Sequence, residues 1–441
     1  MSNEAPVESV ADGAPSGSVL LLGAAGLIGG AALARFRAAG RTVRAVARQA
    51  GVAQDGVEWR PLDIAQCTTA AAWLPHLAGV DTVVNCAGAL QGEALRAVHV
   101  DSARALYEAC AQARVRRVVH LSAIGVDRES VSAFSKTKRA GEEALLESTL
   151  DWVILRPSVV VGRGAFGGSA LFRGLAALPV TLELPNAGPI QVVQLDELAE
   201  TIVALSRPTA PARIALDVAG PERLELVDVI TAFRRWLRFG AAPRWRVPSW
   251  LAACGYRLGD LARALGWRPP IGNVARRELT RGAVGDSRAW QELMRIEPKS
   301  LATALAREPA SVQERWFARL YFQKALAFAI LALFWIGTGV ISLSYGWAQG
   351  LAYLLEGGVP QELAVPGVVA GALADIAIGV GIAFRRTARG ALWAAVAISV
   401  FYMLAGSFVL PRLWLDPVGP MLKIWPIIVL HLVALAILED R

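Results

Sequence analysis

Two short segments have residue types and spacings that suit a bound dinucleotide. Gly23-Ala-Ala-Gly26-Leu27-Ile28-Gly29 follows directly after the apolar run SVLLL. The small residues would let the backbone approach a pyrophosphate, and a helix beginning there would supply N–H groups and partial positive charge. In the later segment VRAVAR, Arg48 stands where an NAD site would have an acid for the ribose hydroxyls. A guanidinium suits a 2′-phosphate, so NADP(H) is favoured over NAD(H), unless Arg48 is merely a solvated surface charge.

A third segment, SAFSKTK at 132–138, places Phe134 and Lys138 four residues apart. Residues at this spacing share one face of a helix. The lysine amine is a candidate for proton transfer, whereas the phenyl ring has no group that donates or accepts a proton. The cysteines and histidines of the chain show no CxxC, HExxH or other ligand spacing, so neither a disulfide nor a bound metal is expected.

The sequence from Ser18 to Gly220 predicts the scaffold that these residues need. Short β-branched runs alternate with alanine-rich amphipathic stretches, which is typical of βαβ units. The predicted fold class is an α/β Rossmann domain, a doubly wound parallel sheet, over 18–220. Residues 1–17 carry acid, Pro, Gly and Ser without an apolar stretch, and are predicted to be a disordered tail rather than a signal peptide.

With these motifs in this order, the chain resembles the extended and atypical short-chain dehydrogenase/reductase (SDR) superfamily, especially the branch containing the nucleotide-binding accessory subunit of respiratory complex I. The resemblance spans about residues 18–323. Gly23, Gly26 and Gly29 match the GxxGxxG of the family. The resemblance further implies adenine contacts from Asp63 and Ile64, a nicotinamide-side lining from Asn85, Ala87, Gly88, Pro157 and Ser158, and catalytic roles for Ser122 and Lys138.

Each of these assignments has a structural alternative. Asp63 could simply cap the helix that follows it, and Ser122 could be a turn residue at the end of a strand. Lys138 could be one solvated charge beside Lys136 and Arg139.

Phe134 occupies the position at which the family has its catalytic tyrosine. In the family, that tyrosine transfers the proton at the substrate oxygen, and the lysine holds the ribose and lowers the pKa of the tyrosine. Two interpretations therefore stay open. The chain either binds the nucleotide without turning it over, as a structural or redox-sensing ligand, or takes the proton from Lys138, water, Ser122 or Ser135. An acceptor such as a quinone could also take its protons from solvent.

Residues 221–320 have a helical pattern and are predicted to form a small substrate lobe, as the resemblance implies. Five tryptophans there suggest either an apolar wall for a lipophilic substrate or ordinary core packing: Trp236, Trp245, Trp250, Trp267 and Trp290. Arginines outnumber acids between Arg234 and Arg319. We expect this charge to face the anionic lipids of a membrane and not a nucleic acid.

Four apolar stretches follow, and each is close to the ~20 residues that cross a bilayer. They cover Ala325–Tyr345, Pro366–Phe384, Ala391–Leu410 and Met421–Leu438, which predicts a four-helix transmembrane bundle over 325–438. Lysines and arginines precede the first stretch and fill the loop at 385–389, whereas the loop at 345–365 has none. This pattern predicts a multi-pass protein of a bacterial-type inner membrane, with the N-terminal domain and the C-terminus in the cytoplasm.

The bundle resembles the DoxX-like membrane family, which the resemblance links to quinone-related and thiol redox processes. Two ionisable residues, Asp375 and His431, fall near the middle of their apolar stretches. Ionisable groups at that depth are costly and are by default functional or paired. We expect them to face each other inside the bundle; the alternative is that each is hydrogen-bonded locally or extends toward the interface.

The sequence therefore predicts a membrane-anchored NADP(H)-binding oxidoreductase of the SDR type, acting on a hydrophobic or quinone-like acceptor. The alternative is a catalytically silent nucleotide-binding membrane protein that senses redox state or helps to assemble a membrane-protein complex. Phe134 favours the silent protein, whereas Ser122 and Lys138 favour the enzyme.

Overall fold

A computed structural model of the chain describes residues 17–89, 92, 94–129 and 131–439. The predicted disordered tail lies outside these residues except for Gly17. Contacts divide the chain into two compact units. The Rossmann unit comprises the residues up to Ser169 together with Leu182–Trp236 and Val274–Pro309, and the helical unit comprises Ala170–Thr181, Leu237–Asn273 and everything from Ala310 onward.

A seven-stranded sheet organises the Rossmann unit. Its strands run in the order β10-β6-β5-β4-β1-β2-β3, and all neighbours are parallel. This is the predicted doubly wound arrangement, in which the strand order reverses between β1 and β4. The strands of the chain are β1 (Ser18–Leu22), β2 (Val43–Ala47), β3 (Val57–Pro61), β4 (Val80–Asn85), β5 (Arg117–Leu121), β6 (Asp151–Pro157), β7 (Val159–Val161), β8 (Thr181–Glu183), β9 (Val192–Gln194), β10 (Ile214–Val218) and β11 (Arg244–Arg246).

Seventeen α-helices connect and follow these strands within the described residues. They are α1 (Leu27–Ala38), α2 (Ala70–Leu77), α3 (Ala94–Arg96), α4 (Ser102–Gln112), α5 (Ala133–Leu146), α6 (Gly167–Ala176), α7 (Leu195–Leu205), α8 (Leu226–Trp236), α9 (Ser249–Ala264), α10 (Asn273–Arg281), α11 (Arg288–Met294), α12 (Leu301–Arg307), α13 (Val312–Ser342), α14 (Trp347–Glu356), α15 (Gln361–Ala383), α16 (Ala388–Val409) and α17 (Ile424–Ala436). A π-helical turn, Ala97–Asp101, separates α3 from α4.

The core of the Rossmann unit lies on both faces of the sheet. Successive residues of a strand point to opposite faces, so a strand covered on both sides must be apolar throughout. Leu21 of β1 accordingly packs in one buried cluster with Phe36, whereas Leu22 packs in a second cluster with Trp73 and Leu106. The continuous apolar run SVLLL is therefore explained by burial on both faces.

The region 221–320, predicted to be one lobe, is divided between the two units. Trp290 of α11 is fully buried in the Rossmann core and donates a hydrogen bond to Thr201 over 2.9 Å. Trp267, by contrast, packs edge-on against Phe328 of α13, with ring centroids 4.8 Å apart. Sequence periodicity showed helices here, but only these tertiary contacts decide which core each helix joins.

Three helices of the helical unit, α13, α15 and α16, are long and apolar enough to cross a membrane. The predicted fourth span is shorter than expected, because α17 has only 13 residues and would cover about 20 Å of the ~30 Å hydrocarbon core. Turns before Ile424 delay its start, and Gly419 among them has a φ of 63°. The predicted first loop contains a further helix, α14.

Small residues let α13 and α15 pack closely. A Cβ added at Gly379 would lie 2.7 Å from the backbone oxygen of Ala332, and one at Gly339 would overlap the oxygen of Ala372. Close backbone approach at small residues is the usual packing mode of helices in lipid.

Candidate nucleotide-binding site

The glycine-rich segment forms a tight turn between β1 and α1. Gly23 has a φ of 73°, and a Cβ there would lie 2.9 Å from the backbone oxygen of Cys86. A Cβ at Gly29 would overlap the backbone oxygen of Gly23. Helix α1 begins at Leu27 without a side-chain cap on Gly26 and without an acid in its first turn. Its first N–H groups are therefore oriented for an anion, as the sequence predicts.

The predicted site residues gather at the carboxyl edge of the sheet. Ligands of doubly wound sheets bind at this edge, beside the point where the strand order reverses. The edge carries Gly23 after β1, Arg48 after β2, Asp63 after β3, Asn85 at the end of β4, Ser122 after β5, Pro157 at the end of β6 and Ser158 after it.

Two of these residues have local contacts that bear on their predicted roles. The Asp63 carboxylate accepts a hydrogen bond from the Ala65 N–H over 3.2 Å and caps the short 3₁₀ helix that begins at Ile64. The capping alternative is thus realised, although Asp63 remains exposed at the sheet edge. Arg48 is also exposed, one residue beyond β2.

Asn85 shapes the loop that follows β4. Its side-chain oxygen accepts a hydrogen bond from the Ala87 N–H over 3.1 Å, and the asparagine is buried. Its amide nitrogen lies 3.5 Å from the hydroxyl of Tyr107. Asn85 therefore holds the turn that contains Ala87 and Gly88.

Lys138 is not a solvated charge. The residue is only 6 % exposed, and its amine donates to the Leu121 backbone oxygen over 2.8 Å and lies 3.5 Å from that of Ala87. Burial lowers the pKa of this amine from 10.5 to about 8, against the opposing influence of Cys86 and Glu142. The neighbouring Lys136 is exposed.

The Ser122 hydroxyl is buried and has no hydrogen-bond partner among the described residues. A buried hydroxyl without a partner costs free energy, so such a group in a native protein requires a partner such as a water molecule or a ligand. Ser158 differs, because its hydroxyl lies 2.5 Å from the backbone oxygen of Gln191 and 2.8 Å from that of Ala283. Its side chain thus ties the end of β6 to the protein backbone.

Phe134 and Lys138 lie in the same helix, α5, in the predicted register. The Phe134 ring packs edge-on against His99, with centroids 5.9 Å apart. Ser135, one of the candidate proton donors, is fully buried and serves the N-terminal cap of the helix, where its hydroxyl accepts from the Ser132 N–H over 3.0 Å. Lys138, Ser122 and water therefore remain as the candidate proton donors.

His99 is a site residue that the sequence did not reveal. Its Nε2 accepts a hydrogen bond from the Ala89 N–H over 3.0 Å, and its Nδ1 lies 2.9 Å from the hydroxyl of Thr137. Burial first, and then the charge of Lys138, lower the pKa of His99 to about 2, so the ring is neutral at ordinary pH. A neutral ring with both nitrogens engaged positions the loop and α5, and it does not supply protons.

A buried ion pair also fixes α5 against the sheet. Arg156 at the end of β6 donates to both carboxylate oxygens of Glu142, over 2.9 and 2.8 Å, and to Asp127 over 2.7 Å. Bidentate pairing of this kind has strict geometry. It therefore holds the helix that carries Lys138 in one orientation.

The five tryptophans are divided between the two units. Trp290 and Trp236 belong to the Rossmann unit, and the Trp236 N–H donates to the Glu308 backbone oxygen over 2.6 Å. Trp267 packs within the helical unit, whereas Trp245 and Trp250 are 44 % and 69 % exposed. Core packing, the alternative to a substrate wall, accounts for Trp290 and Trp267, and the wall itself stays a prediction.

Asp375 and His431, which we expected to face each other, are both buried, and the alternative that each is hydrogen-bonded locally is the one observed. The Asp375 carboxylate accepts hydrogen bonds from the Tyr402 hydroxyl over 3.0 Å and from the Thr338 hydroxyl over 3.3 Å. His431 accepts from the Trp335 indole N–H over 2.8 Å. Each ionisable group therefore has its own polar partner inside the helical unit.

Asp375 faces a small cavity between the helices. The cavity has a volume of about 110 Å³ and is lined by Phe334, Trp335, Thr338, Asp375, Ser399, Tyr402, Ile424 and Ile427. Its wall is thus apolar and aromatic with a few polar groups, and its volume is below the roughly 300–1,000 Å³ of ordinary small-molecule sites.

Family comparison agrees with this division of the chain. The NAD(P)H-binding family matches residues 23–169, and the DoxX-like family matches residues 332–432. Residues 23–169 are thus similar to NAD(P)H-binding domains, residues 332–432 are similar to the DoxX-like family, and the Rossmann unit has the fold of known NAD-bound structures.

Solved structures similar to this chain include two proteins crystallised with NAD. The enzyme WbmG of Bordetella bronchiseptica is 15 % identical, with a TM-score of 0.54 over 71 % of this chain and 98 % of its own. The UDP-glucose 4-epimerase of Thermus thermophilus is 18 % identical, with a TM-score of 0.50 over 66 % of this chain and 100 % of its own. These likenesses establish the fold.

A ceramide reductase of Caulobacter vibrioides is 29 % identical over 132 residues. The match covers 29 % of this chain and 41 % of that protein. An NAD(P)H fits the residues present here, because α1 begins at the sheet edge without a side-chain cap or an acid in its first turn and the buried Ser122 hydroxyl has no partner among the described residues.

Proposed function

We propose that this protein is a membrane-anchored, NADP(H)-dependent oxidoreductase of the SDR type that reduces a hydrophobic or quinone-like acceptor. The observation that carries the proposal is the pairing of a buried Lys138 amine with an unsatisfied Ser122 hydroxyl at the carboxyl edge of the sheet.

The bound nicotinamide would supply a hydride to the acceptor. In the absence of the family tyrosine, Lys138 donates the proton to the substrate oxygen. With a pKa of about 8, its amine is protonated at neutral pH and close enough to neutrality to release that proton. The Ser122 hydroxyl can donate a hydrogen bond to the substrate oxygen, since the described residues leave it free. Phe134 contributes an apolar surface beside them.

The preference for NADP(H) rests on Arg48. Its exposed guanidinium follows β2, where dinucleotide-binding folds contact the adenosine ribose. A planar guanidinium binds a phosphate through two parallel hydrogen bonds, which a ribose hydroxyl cannot match.

We propose a lipophilic acceptor because the helical unit would keep the enzyme in a membrane. The relative named as a ceramide reductase supports a lipid as the acceptor. A quinone is the second lipophilic acceptor that we propose. The cavity beside Asp375 could bind a small part of such a molecule within the bundle, apart from the step in which its oxygen is reduced beside Ser122.

The proposed location is a bacterial-type inner membrane, with the Rossmann unit and the C-terminus in the cytoplasm. Arg385, Arg386 and Arg389 cluster at the α15–α16 connection, and Lys324 precedes the first apolar stretch. Positive charge of this kind marks cytoplasmic ends. Anionic lipids, and in a larger assembly other membrane proteins, are the partners that this arrangement favours.

The experiment uses the full chain purified in detergent. NADPH and NADH binding are measured first, and oxidation is then followed at the reduced-nicotinamide absorbance with a short-chain quinone or a ceramide-type ketone as acceptor. Lys138→Ala should abolish acceptor-dependent oxidation, whereas Lys136→Ala, an exposed neighbour on the same helix, should leave it unchanged. Equal oxidation by both variants would refute the catalytic role of Lys138.

The second candidate is a catalytically silent nucleotide-binding protein that senses redox state or assists assembly. It is favoured by Phe134, which lacks the hydroxyl of the family tyrosine. In this case the wild-type protein binds NADPH tightly and oxidises it with none of these acceptors, and Lys138→Ala only weakens binding.

A further inference from the structure

Helix α9 has an exposed apolar stripe. Trp250, Leu258 and Leu261 are 69, 65 and 57 % exposed, and Cys254 between them is exposed as well. At 100° per residue these four positions fall within about 80° of one another on the helix. Four exposed apolar positions aligned on one face form a continuous patch, which soluble surfaces seldom present.

The opposite face of α9 is packed. Gly259 is buried, and a Cβ there would lie 2.5 Å from the backbone oxygen of Ile271. The helix therefore has a fixed rotation, with the stripe directed away from its own unit. Arg257 is exposed beside the stripe, where a long basic side chain could reach lipid phosphates.

The end of α9 is attached to the apolar helices of the same unit. The Trp267 indole N–H donates to the Ala383 backbone oxygen over 2.8 Å, and the Arg385 N–H donates to the Leu265 backbone oxygen over 3.0 Å. The Arg385 guanidinium also lies 5.7 Å from the Trp267 ring centroid. These contacts are made at the C-terminal end of α15, where the apolar helix gives way to arginines.

We infer that α9 is an interfacial helix that lies in the plane of the membrane, with its stripe among the acyl chains next to anionic headgroups. The hydrogen bonds to Ala383 and Arg385 at the end of α15 place the C-terminal end of α9 at the boundary of the hydrocarbon region. The exposed bases Arg257, Arg268 and Arg386 provide the charge that complements anionic lipid. The inference rests on the proposed membrane insertion of the long helices, but not on turnover.

Cys254 provides a native probe within the stripe. The full chain is placed in lipid nanodiscs containing phosphatidylglycerol, and Cys254 is labelled with an environment-sensitive fluorophore. Lipids with a nitroxide near the top of the acyl chain should quench the label several-fold more than aqueous iodide does. Replacing Trp250 and Leu261 together by Ser should reverse this order, because the stripe loses its apolar anchors.

Two controls in a Cys254→Ser background separate the possible failures. Leu404→Cys on α16, at a site 51 % exposed in a span-length helix, should be quenched by the lipid nitroxide. Glu147→Cys, exposed on the Rossmann unit, should be quenched by iodide alone. Quenching at Leu404→Cys without quenching at Cys254 overturns the interfacial helix while membrane insertion stands, whereas no quenching at either site overturns both.

The alternative is that a second copy of the chain covers the stripe. Short bifunctional maleimides should then cross-link Cys254 of two copies within nanodiscs. A high yield of this dimer, together with iodide-protected but lipid-insensitive fluorescence, would overturn the assignment to lipid.

Discussion

Replacing Lys138 by Met should change how the stability of the protein depends on pH. The lysine has a pKa of about 8 when folded and an ordinary value of 10.5. Folding therefore releases a proton from it between these values, and burial of the charge opposes folding at lower pH. The free-energy cost of burying the protonated amine is greatest below pH 8 and decreases as the pH rises toward 10.5.

The size of the effect follows from the difference in pKa. At 1.36 kcal/mol per unit, the buried charge costs about 3 kcal/mol at pH 7, and most of this is recovered by pH 10. Each kcal/mol shifts the midpoint of thermal unfolding by about 2–4 °C in a domain of this size. The wild-type midpoint, relative to that of Lys138→Met, should thus rise by about 5–10 °C between pH 7 and pH 10.

The measurement is thermal unfolding of the full chain in detergent, followed by near-ultraviolet circular dichroism at both pH values. Loss of the hydrogen bond to Leu121 affects the variant at both pH values and largely cancels in the comparison. Lys136→Met, at an exposed position, is the control and should show no such pH-dependent difference. A constant difference between the wild type and Lys138→Met would show that the buried amine titrates at its ordinary pKa.

Three further variants test the nucleotide and membrane sites. Gly29→Ala should weaken NADPH binding at least about tenfold in a titration, because its Cβ would overlap the Gly23 oxygen, whereas Gly30→Ala meets its nearest atom only at 3.5 Å and should bind normally. Arg48→Ala should weaken NADPH about tenfold or more and leave NADH nearly unchanged, since a charge-assisted contact contributes about 1.5–3 kcal/mol; equal losses would contradict the 2′-phosphate role. Asp375→Asn should keep the midpoint of unfolding within a few degrees but lower turnover of a lipophilic acceptor about tenfold; unchanged turnover would remove the carboxylate from the proposed site.

The nucleotide-binding half was accessible from the sequence because its signals are local. The turn from Gly23 to Gly29 and the apolar run before it depend only on backbone sterics and burial on both faces of β1. The register of Phe134 and Lys138 depends only on helical periodicity. These expectations were confirmed without any knowledge of distant contacts.

The partners of buried side chains could not be predicted where they come from other segments of the chain. Asp375 and His431 are satisfied separately, by Tyr402 and Trp335. The role of His99 could not be predicted, since it depends on the fold bringing the Ala89 loop and Thr137, 38 residues further along the chain, to opposite sides of the ring.

The sequence by itself thus determined the parallel sheet, the glycine turn, the basic residue after β2 and the apolar helices, since each follows from neighbouring residues. Only the tertiary structure decided that Lys138 is buried with a lowered pKa, that the Ser122 hydroxyl lacks a partner among the described residues, and that α9 presents an apolar stripe. Burial and polar satisfaction depend on atoms brought together from remote segments, and residue spacing along the chain does not record them.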